Sequence, residues 1–301
     1  MNRDISADMG TDLPLRLVQV SDTHLSARHA YFTDNYDAFV ALMQADPPDL
    51  IVHTGDVSFN GPDAPGDLVF GRASLERLPV PWRAIAGNHD VGDAALGRTA
   101  KQPVTQERLA VWRARFGVSW WSQDFGAWRL IGLDTALMGS GLPQEAAQRE
   151  FFVDALASRA ARPVMVFIHM PPFLNDPDDA NFTRGALNLA ERTVFFSQCA
   201  AGGVRAVACG HLHIYRALQH GGMDIVWAPA TSYVNMPAKV SAATIVPRAG
   251  VVEWTFSGPQ VTHRLIEPPE MLTLDAHRWI IGRGSVTGLP ERLLRPGPRP
   301  L

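Results

Sequence analysis

Cysteine, lysine and net charge are all scarce in this chain of 301 residues. Cys199 and Cys209 are the only two cysteines, and both sit in apolar stretches. That excludes a disulfide-stapled fold and predicts two buried free thiols in a reducing compartment. Lys101 and Lys239 are the only lysines, a composition bias rather than a functional signal. A net charge of −3 with 19% charged residues excludes a basic face that would hold nucleic acid by charge. No apolar run follows a basic start, and none is long enough to span a bilayer. The expectation is a cytoplasmic protein with no nucleic-acid polymer and no membrane among its partners. With 46% hydrophobic residues, the chain can bury one large core or two small ones.

Short apolar runs alternate with helical patterns. Leu15 to Val20, Leu50 to His53, Trp82 to Ala86, Val164 to Ile168 and Val204 to Cys209 read as strands. Asp34 to Ala45, Asp67 to Leu78, Thr105 to Phe116, Gln144 to Ala157 and Leu187 to Cys199 read as helices. This alternation predicts an α/β fold with parallel βαβ units. An antiparallel pair, Trp120 to Phe125 and Trp128 to Leu133, turns at Gly126. After His213 only strands follow, at Tyr215 to Gln219, Asp224 to Ala228, Ala243 to Val246, Val251 to Phe256 and Val261 to Ile266. They predict a meander forming the second half of a β-sandwich. Residues 1–270 are expected to form one domain, and 271–301 a C-terminal extension or tail.

Five segments place metal-binding side chains just after apolar runs. They are Asp22-Thr23-His24, Gly55-Asp56, Gly87-Asn88-His89-Asp90, His169 and Gly210-His211-Leu212-His213. Asp, His and Asn suit Mn, Fe or Zn, and sites in open α/β sheets form beyond the carboxyl ends of strands. Residues i and i+2 of a strand share a face, so Asp22 can act with His24 and His211 with His213. Asp56, alone at its strand end, is the candidate bridge. The predicted ligand sets are Asp22, His24, Asp56 and His213 for one metal, and Asp56, Asn88, His169 and His211 for the other. Two cations about 3.5–4 Å apart hold a hydroxide at neutral pH and clamp an in-line displacement at phosphorus. His89 is expected to face the substrate as acid or oxyanion stabiliser, its imidazole oriented by Asp90.

These residues resemble the calcineurin-like metallophosphoesterase superfamily, whose pattern is Asp-x-His, Gly-Asp, Gly-Asn-His-Asp or Glu, His, then Gly-His-x-His. The resemblance covers roughly residues 15 to 235. It implies a four-layer αββα fold of two mixed sheets flanked by helices, with two Fe, Mn or Zn ions at the centre. Within the superfamily the chain is most similar to bacterial class III cyclic-nucleotide phosphodiesterases and related glycerophosphodiesterases. The features shared with them are Leu133-Asp134-Thr135, Pro171-Pro172 and Ala228 to Tyr233. Such relatives usually read His-His-Pro-Pro, and here Met170 replaces the second His.

The resulting expectation is a metal-dependent phosphoric diester hydrolase in which a metal-bridging hydroxide attacks phosphorus. Its first substrate is a small-molecule phosphodiester, a 3′,5′-cyclic nucleotide such as cyclic AMP. The alternatives are a glycerophosphodiesterase or broad-specificity phosphodiesterase, a phosphomonoesterase, and an inactive scaffold. A scaffold should have lost ligands or the His after Asn, and all are present. The resemblance also implies that two copies can pair as a homodimer. Other residues read as structural. His53 is a hydrogen-bonded core histidine, Asp134 a turn former, and Trp112, Trp120, Trp121 and Trp128 are core. His29, His220, His263 and His277 lack ligand spacing. The polar loop from Leu174 to Gly185 follows His169 closely, so it is a candidate gate, with Arg184 as a phosphate contact.

Overall fold

A computed structural model describes residues 13–94, 100–235, 240 and 244–275. The elements run β1 (Leu15–Val20), α1 (Thr33–Ala45), β2 (Leu50–His53), α2 (Pro65–Leu75), β3 (Trp82–Ala84), α3 (Asn88–Val91), α4 (Gln106–Phe116), β4 (Trp121–Phe125) and β5 (Trp128–Gly132). They continue with α5 (Pro143–Ala157), β6 (Val164–Phe167), α6 (Leu189–Ala201), β7 (Val204–Cys209), β8 (Arg216–His220), β9 (Met223–Trp227), β10 (Val251–Ser257) and β11 (Gln260–Ile266). Caps set several helix starts: the Thr105 side chain accepts from the Arg108 amide before α4, and Asn188 from Glu191 before α6.

Two mixed sheets stack face to face. The first has the order β11-β10-β1-β2-β3 and the second β4-β5-β6-β7-β9-β8. In each, the parallel strands occupy the middle and antiparallel strands complete the edges. The period of two along each strand divides its side chains between two cores. Leu17, Leu50, Val52, Leu130, Met165 and Phe167 point between the sheets, where Trp128 and Trp254 add the largest area. The alternate positions Val18, Val20 and Ile51 pack against α1, α2 and α4. Ile131, Val164 and Val166 pack against α5 and α6. The result is four layers, helix-sheet-sheet-helix. Trp112, Trp120, Trp121 and Trp128 all join these cores.

The expected meander after His213 does not form. β8 and β9 extend the second sheet, whereas β10 and β11 join the first, where β10 pairs antiparallel with β1 from Leu15↔Phe256 to Gln19↔Val252. The parallel strand β1 leaves one edge of the first sheet open, and the returning chain fills it. Of the expected strand Ala243 to Val246, Ala243 lies outside the described residues and Val246 makes only an isolated bridge to Tyr215. Of the expected C-terminal extension, 271–275 pack back on α1. The Leu272 amide donates to Asn35 Oδ1 at 2.8 Å, and Asn35 Nδ2 donates to the Leu272 carbonyl at 2.8 Å. The rest of the extension, His277 included, lies outside the described residues. No helix among the described residues is long and apolar enough to cross a membrane.

Candidate metal centre

The carboxyl ends of β1, β2, β3, β6 and β7 meet at one rim of the stacked sheets. Seven side chains converge there in two groups. Asp22, His24, Asp56 and His213 lie within 4.8 Å of one another, as do Asp56, His169 and His211. Asn88 completes the second group, its Oδ1 3.2 Å from His169 Nε2. Asp56 belongs to both. Its Oδ2 lies 3.7 Å from His24 Nε2 and its Oδ1 3.4 Å from His169 Nε2, so one oxygen faces each group.

The backbone achieves this by a route other than strand alternation. Asp22, His24, Asp56, His211 and His213 all lie past their strands with φ between 46° and 69°. This left-handed region is sparsely used by non-glycine residues, though Asp and His tolerate it better than most. Single left-handed residues at alternate positions, not an extended strand, turn Asp22 with His24 and His211 with His213 toward the same point. Three glycines precede ligand positions for want of space as much as for flexibility. A Cβ on Gly55, itself at φ +95°, would lie 2.6 Å from His169 Nδ1. One on Gly87 would strike the Asp56 carboxylate, and one on Gly210 would strike Ser21 Oγ.

Hydrogen bonds fix which imidazole nitrogen is free. His169 Nδ1 meets the Thr54 carbonyl, His213 Nδ1 the Tyr233 carbonyl and His211 Nε2 the Arg184 carbonyl, each at 2.8 Å. A carbonyl can only accept, so these nitrogens donate and the opposite ones carry lone pairs. The lone-pair nitrogens of His169 and His211 then face each other at 3.2 Å, with the Asn88 oxygen equally close to the first. In the first group, His213 Nε2 stands 3.2 Å from Asp22 Oδ1, a buried oxygen with no hydrogen-bond partner. His24 and His213 meet Nε2 to Nε2 at 3.2 Å. So many lone pairs crowded together require cations between them. The donor set of nitrogens, carboxylates and one amide oxygen fits two divalent metals of the Mn, Fe or Zn type.

The electrostatics agree. Burial raises the Asp22 and Asp56 carboxyls, but the surrounding imidazoles outweigh it and hold both well below the usual carboxylate range. Burial opposes charge on His169, yet Asp56 brings it up to about 10. Burial, with His169 alongside, pushes His211 down to about 4. Without metal, the ionised Asp56 thus draws a proton onto His169, and a cation bound there would take the place of that proton.

His89 joins neither group through its imidazole, although its amide donates to Asp56 Oδ1 at 2.8 Å. It is half-buried at the start of α3, its ring 4.5 Å from that of His24 and edge-on to it. Its Nδ1 donates to the Phe59 carbonyl at 2.8 Å, which leaves Nε2 as the nitrogen available for other chemistry. The expected hydrogen bond from its imidazole to Asp90 is not made. The buried Asp90 carboxylate instead accepts from the amides of Ser58, Val57 and Gly87 at 2.8, 3.2 and 2.9 Å, and from Ser58 Oγ at 2.7 Å. Asp90 thus ties the loop carrying Asp56 to the turn carrying Asn88. A carboxylate one turn into a short helix reaches its own N-terminal amides more easily than its neighbour's ring. Asp134 also serves a turn, accepting from Ala136 N at 2.9 Å, and His53 bonds within the core to Thr23 and the Gly55 amide.

A cleft of about 700 Å³, open to solvent, adjoins the second group. Asn88, His169 and Met170 line it at the metal end, and Phe182 and Arg184 bring the 174–185 loop to its wall. The buried Arg192 anchors that loop by donating to the Asp179, Leu187 and Pro172 carbonyls. The Ala228 to Tyr233 segment lies instead over the first group, where the Tyr233 ring packs 4.2 Å from that of His213. Sequence reasoning missed the four carbonyl partners, from Thr54, Phe59, Arg184 and Tyr233. A main-chain oxygen carries no residue-type signal. It also passed over Asp93, which lines the cleft.

Comparison with known proteins places this centre in a family. A probable glycerophosphodiester phosphodiesterase, GpdQ, from Arcobacter nitrofigilis is 25% identical over 264 residues, 82% of this chain and 91% of that protein. A probable cyclic nucleotide phosphodiesterase from Psychrobacter arcticus is 26% identical over 234 residues, 75% of this chain and 80% of the relative. Among solved structures, the purple acid phosphatase PPD1 from yellow lupin superposes with a TM-score of 0.60 at 16% identity, covering 88% of this chain and 53% of that one. That likeness shows the fold. The sequence pattern of the calcineurin-like phosphoesterases matches residues 15–215. The chain belongs to the calcineurin-like phosphoesterase family, metal-dependent hydrolases with a binuclear centre.

Proposed function

We propose that the protein is a phosphodiesterase of small molecules, with 3′,5′-cyclic nucleotides such as cyclic AMP as its first substrates. Asp22, His24, Asp56 and His213 hold one metal; Asp56, Asn88, His169 and His211 hold the other. Iron, manganese and zinc all suit these donors. When bound, the pair supplies Lewis acidity and an ionised water near neutral pH. The chain's own groups do the rest. Asn88 is a neutral ligand, so the second position keeps its pull on a phosphoryl oxygen. The carbonyl partners of His169, His211 and His213 hold each imidazole in one tautomer and one plane. The Phe59 carbonyl keeps a proton on His89 Nδ1, and a second proton on Nε2 passes to the leaving oxygen as the P–O bond breaks.

The observation that carries the diester reading is the wall of the cleft beside the second group. Met170 stands there, next to His169 and Asn88, and offers no proton or hydrogen-bond donor to the extra oxygen of a monoester. Both relatives described above are named as probable diesterases, which supports the same reading. The glycerophosphodiester alternative is favoured by the greater reach of the Arcobacter match along both chains. The buried free thiols Cys199 and Cys209 support a reducing, cytoplasmic setting. The test is turnover by manganese-loaded protein on cyclic AMP, bis-p-nitrophenyl phosphate, a glycerophosphodiester and p-nitrophenyl phosphate. Diesters should lead monoesters in kcat/KM by at least about tenfold, about 1.4 kcal/mol at the transition state. A monoester lead would overturn the reading, and Met170→His should then raise monoester turnover further.

A further inference from the structure

The cleft beside the second metal group contains one carboxylate among the described residues of its wall, that of Asp93. Gly92, at φ +95°, turns the chain out of α3 and delivers it there. The Asp93 main chain is clamped on both sides: its amide donates to the Gln102 carbonyl and its carbonyl accepts from the Val104 amide, both at 2.8 Å. The carboxylate, by contrast, accepts no hydrogen bond from any described residue and feels its neighbours only through charge. Burial and the charge of Asp56 raise its carboxyl above the ordinary value, while the charge of Arg184 works the other way. A half-buried carboxylate that accepts no hydrogen bond from a described residue keeps its acceptor capacity for whatever enters the cleft.

Taking the diesterase reading as given, we infer that Asp93 is the specificity residue for the alcohol portion of the substrate, accepting hydrogen bonds from its hydroxyl groups. The phosphorus sits among the ligands at the metal end of the cleft, which Asn88 and His169 line. One ester arm of the diester then extends along the cleft past Met170 and reaches Asp93. Apolar residues of the same wall, Ala136, Met138 and Met170 among them, cover the carbon skeleton of that arm. A carboxylate suits a vicinal diol, and two sources present one: the glycerol of a glycerophosphodiester, and the ribose of a 5′-nucleotide product, whose 3′-hydroxyl is freed beside the 2′-hydroxyl when the cyclic diester opens.

Product binding to the full-length manganese-loaded protein tests this without requiring turnover. Calorimetry with glycerol 3-phosphate, adenosine 5′-monophosphate and inorganic phosphate compares the wild type with Asp93→Ala and Asp93→Asn. Hydrogen bonds to a charged group set the scale, so Asp93→Ala should weaken the diol-bearing ligand by about 10–100-fold and inorganic phosphate by less than about twofold. Asp93→Asn, which keeps one acceptor oxygen, should fall between. Whichever of the two diols loses affinity names the source. Turnover of bis-p-nitrophenyl phosphate, which has no hydroxyl, should be unchanged in both variants. Equal weakening of all three ligands would mark Asp93 as structural, and unchanged affinity for all three would mark it as idle; either result ends the proposal. If the wild type turns over no diester at all, the diesterase reading fails, while the binding comparison still decides whether Asp93 reads a diol.

Discussion

The two candidate metal groups share Asp56 and differ in how they meet solvent. In the first group, Asp22, His24, Asp56 and His213 are all buried, none more than 4% exposed, and Tyr233 packs over them. In the second, Asn88 and His211 are half-buried, Asn88 lines the cleft, and the carbonyl that orients His211 belongs to the exposed Arg184 of a surface loop. Asp22 has two further donors on one oxygen, Ser21 Oγ at 2.5 Å and the His211 amide at 2.9 Å. The first position is therefore preorganised inside the protein, and the second is built where substrate arrives. The difference teaches a division of labour: a sealed position to hold, an open position to react.

The harshest way to break that division is to remove what the positions share. Asp56→Ala takes a ligand from both, so both ions and nearly all turnover should go together, a fall of at least about 10⁴-fold in kcat/KM. Metal analysis and kinetics on the same preparation check this. Two retained ions with near-normal turnover would sink the shared-ligand assignment.

Next in size is His89, which touches neither metal group through its free nitrogen. His89→Ala should keep both ions and lose about 10²–10⁴-fold in rate on esters of poor leaving groups. On p-nitrophenyl esters, whose leaving group needs no proton, the loss should shrink. An equal loss on both classes would reassign His89 to binding the phosphoryl oxygens. Smaller again is the expected gap between the two positions in affinity. Graded chelation should release one ion per chain from the second group before the first, with affinities about tenfold or more apart. Orienting partners of metal ligands typically contribute about 10–100-fold, and the buried group has two donors on Asp22, whereas His211 is held by the carbonyl of an exposed loop residue. Ser21→Ala, which removes a donor to Asp22, should narrow the gap; release in a single unresolved step from the wild type would dissolve the distinction.

Much of this centre was legible in the sequence because its chemistry is carried by residue types at strand ends. The seven side chains that converge are those the five segments supplied, and the alternation of apolar runs indicated the parallel strands that bring them together. What was hidden has physical reasons. The left-handed backbone of Asp22, His24, Asp56, His211 and His213 leaves no mark in composition, so strand alternation was credited with a placement that turns produce. Asp90 was assigned to its neighbour His89 by adjacency, whereas the carboxylate serves amides brought near by β2 and β3. β10 pairs with β1 across more than 230 residues, and a local pattern cannot say which of two open edges a strand will choose. Asp93 was missed because its cleft is formed by four separated segments.

The smallest expected effect concerns stability beneath the first group. His53 is buried under it, with Nδ1 accepting from the Gly55 amide at 3.2 Å and Nε2 meeting Thr23 Oγ1 at 3.0 Å. Thr23 Oγ1 in turn donates to the Val57 carbonyl, so His53 Nε2 is the donor and the ring is neutral. A proton on Nδ1 would abolish the Gly55 hydrogen bond, and burial brings the imidazole down to about 3. In the unfolded chain it titrates near its ordinary value of about 6.5. Between those values the unfolded state binds the extra proton, so stability rises with pH there. The contribution is fully present above about 6.5 and is lost as pH falls toward about 3, at up to about 1.4 kcal/mol per pH unit. His53→Asn retains an acceptor for the Gly55 amide but does not titrate. Denaturant unfolding of the metal-free proteins at pH 7 and pH 5 should show a shallower loss in the variant, with the metal-ligand titrations cancelling in the difference. Identical slopes would mean that His53 becomes charged inside the fold, and that the region under the sealed position is less dry than its packing indicates.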